Sequence, residues 1–282
     1  MTSIPCPCCL GNSLETVHLY DEKPQGETTF PSLAGQPYRR EIRQCSTCGH
    51  FLSHHSMDLG ELYRQEYAGA TYGDAEGIRG AFRRIMDLPP EKSDNVGRVR
   101  RLLRFTDAHF PKNKPLRLLD VGSGLAVFLA QITNHRPDWR CTALEPDPKF
   151  SEHAARTLDV ETITQDYLDR PPDQPFDLIT LNKVLEHVPD PLAMLERCRR
   201  DLAPGGLLYL ELPDGEAASQ DPQTFLREEF FIEHHHAFTM ASMELLARQA
   251  RLRSLTLERL REPSSKYTLR AFLAPNSNSL ET

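Results

Sequence analysis

From residue 113 onward, the apolar positions switch repeatedly between short β-favouring runs and segments with a helical period. Residues 116–121 read as a strand, and 125–132 as an apolar helix that follows it across two glycines. A second strand ends in Glu145, and a fourth ends just before Asn182. A fifth covers 207–212, behind a helix over 192–202 that stops at Pro204-Gly205-Gly206. A helix beginning near Met240 precedes two further strands, 255–261 and 266–273, joined by Glu262-Pro263-Ser264-Ser265. This alternation predicts an α/β fold: a doubly wound, mostly parallel Rossmann-like sheet with an antiparallel edge hairpin.

Upstream the pattern changes. Residues 14–20 and 38–44 favour β structure and flank a stretch containing Pro and Gly, as in a small ribbon hairpin. An amphipathic helix is predicted over 95–109, after a loop at Asp87-Leu88-Pro89-Pro90. Tyr63 and Tyr67 stand at i and i+4 on one helix face, and Tyr72 follows a glycine-containing turn, so these rings could pack in the interior or line a pocket. The expected organisation is a ribbon over 1–55, a helical cap over 56–112, the α/β domain over 113–275 and a short disordered polar tail over 276–282.

The turn after the first α/β strand carries the most informative chemistry. Gly122 and Gly124 let the backbone approach a ligand where a Cβ would clash, whereas Asp120 at the strand end argues against a bound pyrophosphate. A carboxylate there suits a cofactor with an amine-bearing or cationic head, as S-adenosylmethionine has. Glu145 ends the next strand, 25 residues on, a spacing that fits one strand-helix-strand unit and an acid that takes ribose hydroxyls.

The ordered motifs LLDVGSG, ALEPD, TQDYLD, FDLITLNKVLEHVPDP and LAPGGLLYLELPD resemble the class I S-adenosylmethionine-dependent methyltransferases over roughly residues 114–273. That resemblance implies that Asp120, Gly122, Ser123 and Gly124 hold the methionine part and that Glu145 and Pro146 hold the ribose. It also implies that Asp166 meets the adenine amine and that Asn182 and Lys183 border the reaction centre. Ala126 stands where the family loop often has a third glycine.

Seven cysteines occur, four of them as two C-x-x-C knuckles: Cys6 with Cys9, and Cys45 with Cys48. Paired knuckles read as a four-thiolate zinc site, and a closed shell leaves no water to activate, so the zinc is expected to be structural. Cys8, or His50, His54 or His55, could replace one of these ligands. Cys141 and Cys198 fall in a strand and a helix as small buried apolar residues.

On the acceptor side, Glu233 and the histidines His234, His235 and His236 gather titratable groups in one segment. Zinc-ribbon methyltransferases similar to this chain, including deoxysugar C-methyltransferases, carry Tyr-x-Glu-His there, and the match is Phe231-Ile232-Glu233-His234. The resemblance implies His234 as general base with Glu233 as its partner. Phe231 in place of the phenol argues against ketosugar C-methylation, as does the expectation that the further C-terminal domain of the sugar enzymes has no counterpart here. His187 in LEHVPDP, after the fourth strand, is a second candidate base or a residue that orders the cofactor loop.

Composition trims the remaining options. A length of 282 residues with 39% hydrophobic content supports one large core with an appendage. The net charge of −7 and the dispersed basic residues argue against a nucleic-acid partner. Arg98, Arg100, Arg101 and Arg104 read as a solvated helix face. No segment has the length or apolarity of a membrane span, and a cytoplasmic protein is expected. Methyl transfer to a hydroxyl of a small molecule is the favoured reading, against a non-catalytic cofactor-binding adaptor that uses the ribbon to hold a partner.

Overall fold

A computed structural model describes residues 5–57, 59, 67–171 and 174–276; Tyr63 and the tail beyond 276 lie outside the described residues. The α/β core is a seven-stranded sheet. Its parallel part runs β8 (Leu202–Pro213), β7 (Phe176–Asn182), β4 (Arg117–Val121), β5 (Arg140–Leu144) and β6 (Glu161–Ile163) in spatial order. β11 (Tyr267–Pro275) pairs antiparallel with β8, and β10 (Leu252–Arg261) completes the edge hairpin. Central strands are apolar on both faces because helices cover both: Leu118, Leu119, Leu178, Ile179, Leu208 and Leu210 are all fully buried.

Four helices follow the parallel strands or their extensions: α4 (Val127–His135), α5 (Pro148–Thr157), α6 (Pro191–Asp201) and α8 (Met240–Gln249). Asp147 caps α5 through Lys149 N, Asp190 caps α6 through Ala193 N, and Thr239 with Ser242 forms a reciprocal capping box on α8. Asp190 lines the cavity and Asp147 follows the cavity-lining Pro146, so these two caps fix where the chain turns beside the ligand crevice. The order of strands reverses between β4 and β7, the switch point at which open α/β sheets bind ligands.

The upstream segment holds α1 (Tyr67–Tyr72), α2 (Ala75–Met86) and α3 (Asp94–His109). α3 shares the sheet's own core: Val99, Leu102 and Leu103 pack with Leu118, Tyr209 and Phe272. The solvated arginine face needs correction. Arg100 and Arg104 are exposed, whereas Arg98 turns inward onto the buried Glu211 at 2.6 Å and Arg101 pairs with Glu258.

The ribbon is a four-stranded sheet of β1 (Leu14–Tyr20), β2 (Arg40–Cys45), β3 (Phe51–His54) and β9 (His236–Ala237). Because β9 comes from the chain beyond β8, strand pairing joins the ribbon to the segment between β8 and α8 of the α/β domain. Among the described residues, no helix is long and apolar enough to cross a membrane.

Candidate active site

The strand ends open into a cavity of about 1010 Å³, at the upper limit of a typical single-ligand pocket of roughly 300–1,000 Å³. On one side β4 ends in Asp120, which is 2% exposed. Thr180 Oγ1 and Asn182 Nδ2 both donate to its Oδ1, at 2.6 and 2.9 Å, leaving Oδ2 for a ligand. Burial pushes the Asp120 carboxyl up to about 7 against the pull of those two donors.

Glu145 closes the glycine turn from the next strand. Its Oε2 accepts from Gly124 N at 2.8 Å and its Oε1 from Asp147 N at 3.0 Å. A carboxylate has about four lone-pair sites, so two remain for hydroxyls. Burial pushes Glu145 up to about 7 as well. Among the described residues, Ser123 Oγ and Asn182 Oδ1 are buried without a hydrogen-bond partner, and Pro146 and Asp166 line the same cavity. Asp166 accepts from Leu168 N at 3.0 Å. Asp120, Gly122, Ser123, Gly124, Glu145, Pro146, Asp166, Asn182 and Lys183 therefore all line one cavity.

The turn's backbone is left-handed at three places: Gly122 at φ 68°, Gly124 at φ 49° and Ala126 at φ 58°. A Cβ on Gly122 would stand 2.7 Å from Val184 Cγ2, so part of the need for glycine is a neighbouring side chain and not a ligand. Ala126 adopts the conformation that the family's third glycine would hold without strain.

Across the cavity, two segments cross-brace each other. His187 Nδ1 donates to Glu233 O at 2.9 Å, His234 Nδ1 to Glu229 O at 3.1 Å, and His235 N to Glu186 O at 2.8 Å. 

The last of these, a main-chain bond of 2.8 Å, ties the turn after β7 to the segment that enters β9. With Nδ1–H committed to a carbonyl, each imidazole presents Nε2 as a proton acceptor. The two rings lie 4.8 Å apart, centroid to centroid. Burial lowers His187 to about 4 and His234 well below the ordinary histidine value, so both are neutral at pH 7.

Glu186, quoted in the sequence motif but given no role there, sits beside both histidines. One ligand atom each of Glu186, His187 and His234 fall within 4.8 Å of one another. Glu233, expected to partner His234, reaches this group through its backbone carbonyl, and burial pushes its carboxyl up to about 7. Lys183 donates to Thr268 Oγ1 at 2.8 Å, on the acceptor side of the cavity and not toward the glycine turn. Tyr67 and Tyr72 line the wall, Tyr72 edge-on to Phe150.

The four knuckle sulfurs also converge: Cys6, Cys9, Cys45 and Cys48 offer Sγ atoms within 4.8 Å of one another. Cys6 to Cys48 is 3.6 Å and Cys9 to Cys45 is 3.5 Å, close to the edge of about 3.8 Å that a tetrahedron with zinc–sulfur bonds of about 2.3 Å requires. Cys8 is buried but outside that set, and His50 turns away to meet His236 at 3.1 Å. α8 holds the knuckles from below: Gln249 Nε2 donates to Cys8 O at 2.7 Å and Thr239 Oγ1 to Cys48 O at 2.7 Å.

A family model described as a methyltransferase domain matches residues 95–257, more than half of the chain and the whole glycine turn. The chain belongs to the methyltransferase domain family. Its α/β core is thus that of a class I S-adenosylmethionine-dependent methyltransferase, an enzyme fold with the acid and glycine positions described above.

Among curated proteins, this chain is 30% identical over 165 residues to a ubiquinone biosynthesis O-methyltransferase of Actinobacillus pleuropneumoniae, covering 55% of this chain and 64% of that protein. It is 32% identical over 108 residues to a trans-aconitate 2-methyltransferase of Methylobacterium nodulans, covering 38% and 42%. The chain therefore spans less than two thirds of these relatives.

Two solved structures show the same fold. The plantazolicin methyltransferase BpumL, in complex with a pentazolic desmethylPZN analog and S-adenosylhomocysteine, has a TM-score of 0.56 at 15% identity, over 77% of this chain and 96% of that one. The Burkholderia thailandensis 1,6-didemethyltoxoflavin-N1-methyltransferase has a TM-score of 0.51 at 17% identity, over 91% and 100%.

Proposed function

We propose that this methyltransferase moves a methyl group from S-adenosylmethionine to a hydroxyl of a small molecule, with His234 as general base. The observation that carries the reading is the pairing, across one cavity, of an amine-seeking carboxylate on Asp120 with a neutral imidazole whose Nδ1–H is already committed. S-adenosylmethionine would supply an electrophilic methyl on a sulfonium. Oδ2 of Asp120 and the unpartnered Ser123 hydroxyl suit the amino acid end, and the remaining lone pairs of Glu145 suit the ribose. Asp166 is offered to the adenine amine. His234 takes the acceptor's proton, and the aromatic wall of Tyr67 and Tyr72 excludes water.

The curated relatives named above act as O-methyltransferases in one case and on trans-aconitate in the other, which supports oxygen as the acceptor atom. Four thiolates at tetrahedral spacing suit zinc, held by Cys6, Cys9, Cys45 and Cys48 in a closed and therefore structural shell. His187 stands beside His234 as a second proton acceptor.

Calorimetric titration with S-adenosylmethionine, S-adenosylhomocysteine and NAD tests the donor half. Micromolar binding of the two sulfur compounds is expected, with no binding of NAD. Asp120→Ala should weaken binding by roughly 100-fold, since it removes a charged hydrogen-bond acceptor from a buried site. Failure to bind either sulfur compound would overturn the reading and favour an adaptor that works through the ribbon.

A further inference from the structure

Glu186 is a buried acid that the reaction as described above does not use. It lies in a single turn, Leu185–His187, just past the end of β7, and is fully buried. It lines the cavity, and neither carboxylate oxygen has a hydrogen-bond partner among the described residues. A buried carboxyl left without partners carries a desolvation cost that is retained only where something else satisfies it.

We propose that Glu186 and His234 form a proton-sharing pair, in which Glu186 is the positioning carboxylate that holds the proton His234 takes from the acceptor. The proposal rests on the methyl-transfer reading above and assigns to Glu186 the partnership that the sequence motif suggested for Glu233.

Proton accounting leads to this pair. His234 uses Nδ1–H on the Glu229 carbonyl, so its Nε2 is an acceptor. A carboxylate beside an imidazole acceptor lacks a proton until the acceptor molecule brings one. During transfer the acceptor's O–H bond breaks and its proton goes to Nε2 of His234. The oxygen's electron pair forms the bond to the methyl carbon, and the carbon–sulfur pair returns to sulfur to leave a neutral thioether. The imidazolium then needs a nearby negative charge.

Its surroundings offer few. From the turn after β7 come Lys183, Glu186 and His187; from the 228–235 segment come Glu228, Glu229, Glu233 and His235; from the edge hairpin comes Lys266; and from α1 comes Tyr67. Glu228 is held by Lys266 at 3.0 Å and Glu229 by Arg227 at 3.0 Å. Among the described residues, Glu186 is the carboxylate that joins both histidines with ligating atoms inside 4.8 Å. Burial also pushes the Glu186 carboxyl up to about 7, within the range where a shared proton exchanges at neutral pH.

The test uses zinc-loaded full-length protein with labelled histidine side chains. In free enzyme the nitrogen resonances of His234 should report the ionisation of Glu186 as an inflection near neutral pH, which Glu186→Gln abolishes and Glu233→Gln leaves in place. With an acceptor in hand, Glu186→Gln should lower kcat by roughly 10- to 100-fold and abolish the corresponding inflection in its pH profile, with the S-adenosylmethionine Kd unchanged. Glu186→Asp should recover part of the loss. An unchanged His234 titration in Glu186→Gln would overturn the pair. So would selective broadening of the His187 and His234 resonances by micromolar Mn2+, since a metal-bound nitrogen cannot take the proton. Because the titration needs neither donor nor acceptor, it separates failure of the pair from failure of the methyl-transfer reading.

Discussion

The two sides of the cavity are built on opposite plans. On the donor side, Glu145 is bonded to Gly124 and Asp147 within and just past one strand-helix-strand unit, and Asp120, which ends the first strand of that unit, is held by Thr180 and Asn182 of the neighbouring β7. On the acceptor side, residues near 186 and near 234 meet only through tertiary structure, and they leave an acid without a partner. A donor common to a whole family can be met by local geometry preset in the backbone. An acceptor specific to one enzyme is met by segments whose spacing in sequence is free to vary, and the difference between the halves follows from that division.

The largest effect expected from this comparison is on the acceptor side. His234→Ala should lower kcat by roughly 10²- to 10⁴-fold while leaving the Kd for S-adenosylmethionine unchanged. Steady-state kinetics beside calorimetry read the two quantities separately. A parallel loss of donor affinity would mean that the halves are not independent.

Cys45→Ser probes the same asymmetry from a distance. It should remove zinc and lower stability, because a structural metal site contributes its binding energy to folding. The ribbon meets the α/β domain through β3 and β9, and β9 begins two residues after His234. Acceptor turnover should therefore fall about tenfold more than donor affinity, as metal analysis, kinetics and calorimetry on one preparation would show. Equal losses would place the ribbon's influence on the whole fold.

Much of the donor side was legible because its signals are local. An Asp at a strand end, two glycines, and an acid one unit later all follow from backbone geometry, and the structure places each on the cavity wall. The acceptor side was less legible for physical reasons. β9 is two residues long, too short to leave an alternation in the sequence, so its joining of the ribbon to the His234 segment could not be seen. Arg98 read as solvated because its partner, Glu211, lies 113 residues away on β8, where Arg98 and Arg270 hold the carboxyl down at about 2 although burial alone would raise it. Glu186 sits in a motif common enough to be read as scaffolding, and what draws it out is that neither carboxylate oxygen has a hydrogen-bond partner among the described residues.

A pH series sharpens the comparison at a smaller scale. Asp120 and Glu145 are raised by burial to about 7 in the folded protein, against ordinary values of about 4. A raised folded value means that their contribution to stability is full below the unfolded value and is lost as pH rises through the folded one. The free protein should lose stability between about pH 4 and pH 7, and an ammonium-bearing donor should bind severalfold more tightly at pH 8 than at pH 6 as Asp120 ionises. Asp120→Asn should flatten that dependence in calorimetry. A dependence unchanged by the substitution would assign it to another group.

The smallest effects come from the two glycines, which report on different sides of the cavity. At Gly124 a Cβ meets nothing closer than Gly122 O at 4.0 Å, so Gly124→Ala adds only the strain of φ 49°. That strain is about 1–2 kcal/mol, offset in part by about 0.4–1 kcal/mol from a less flexible unfolded chain. Ala126, at φ 58° two residues on, shows that this turn accommodates an alanine in the same conformation. At Gly122 the added Cβ would also press Val184 Cγ2 at 2.7 Å, and Val184 immediately precedes the turn that carries Glu186. Gly122→Ala should therefore disturb acceptor turnover as well as donor affinity, whereas Gly124→Ala should lower the melting temperature by a few degrees and change donor affinity alone. If both variants spare turnover once donor saturates, Val184 yields to the extra methyl group and the two sides of the cavity are mechanically separate at their point of closest approach.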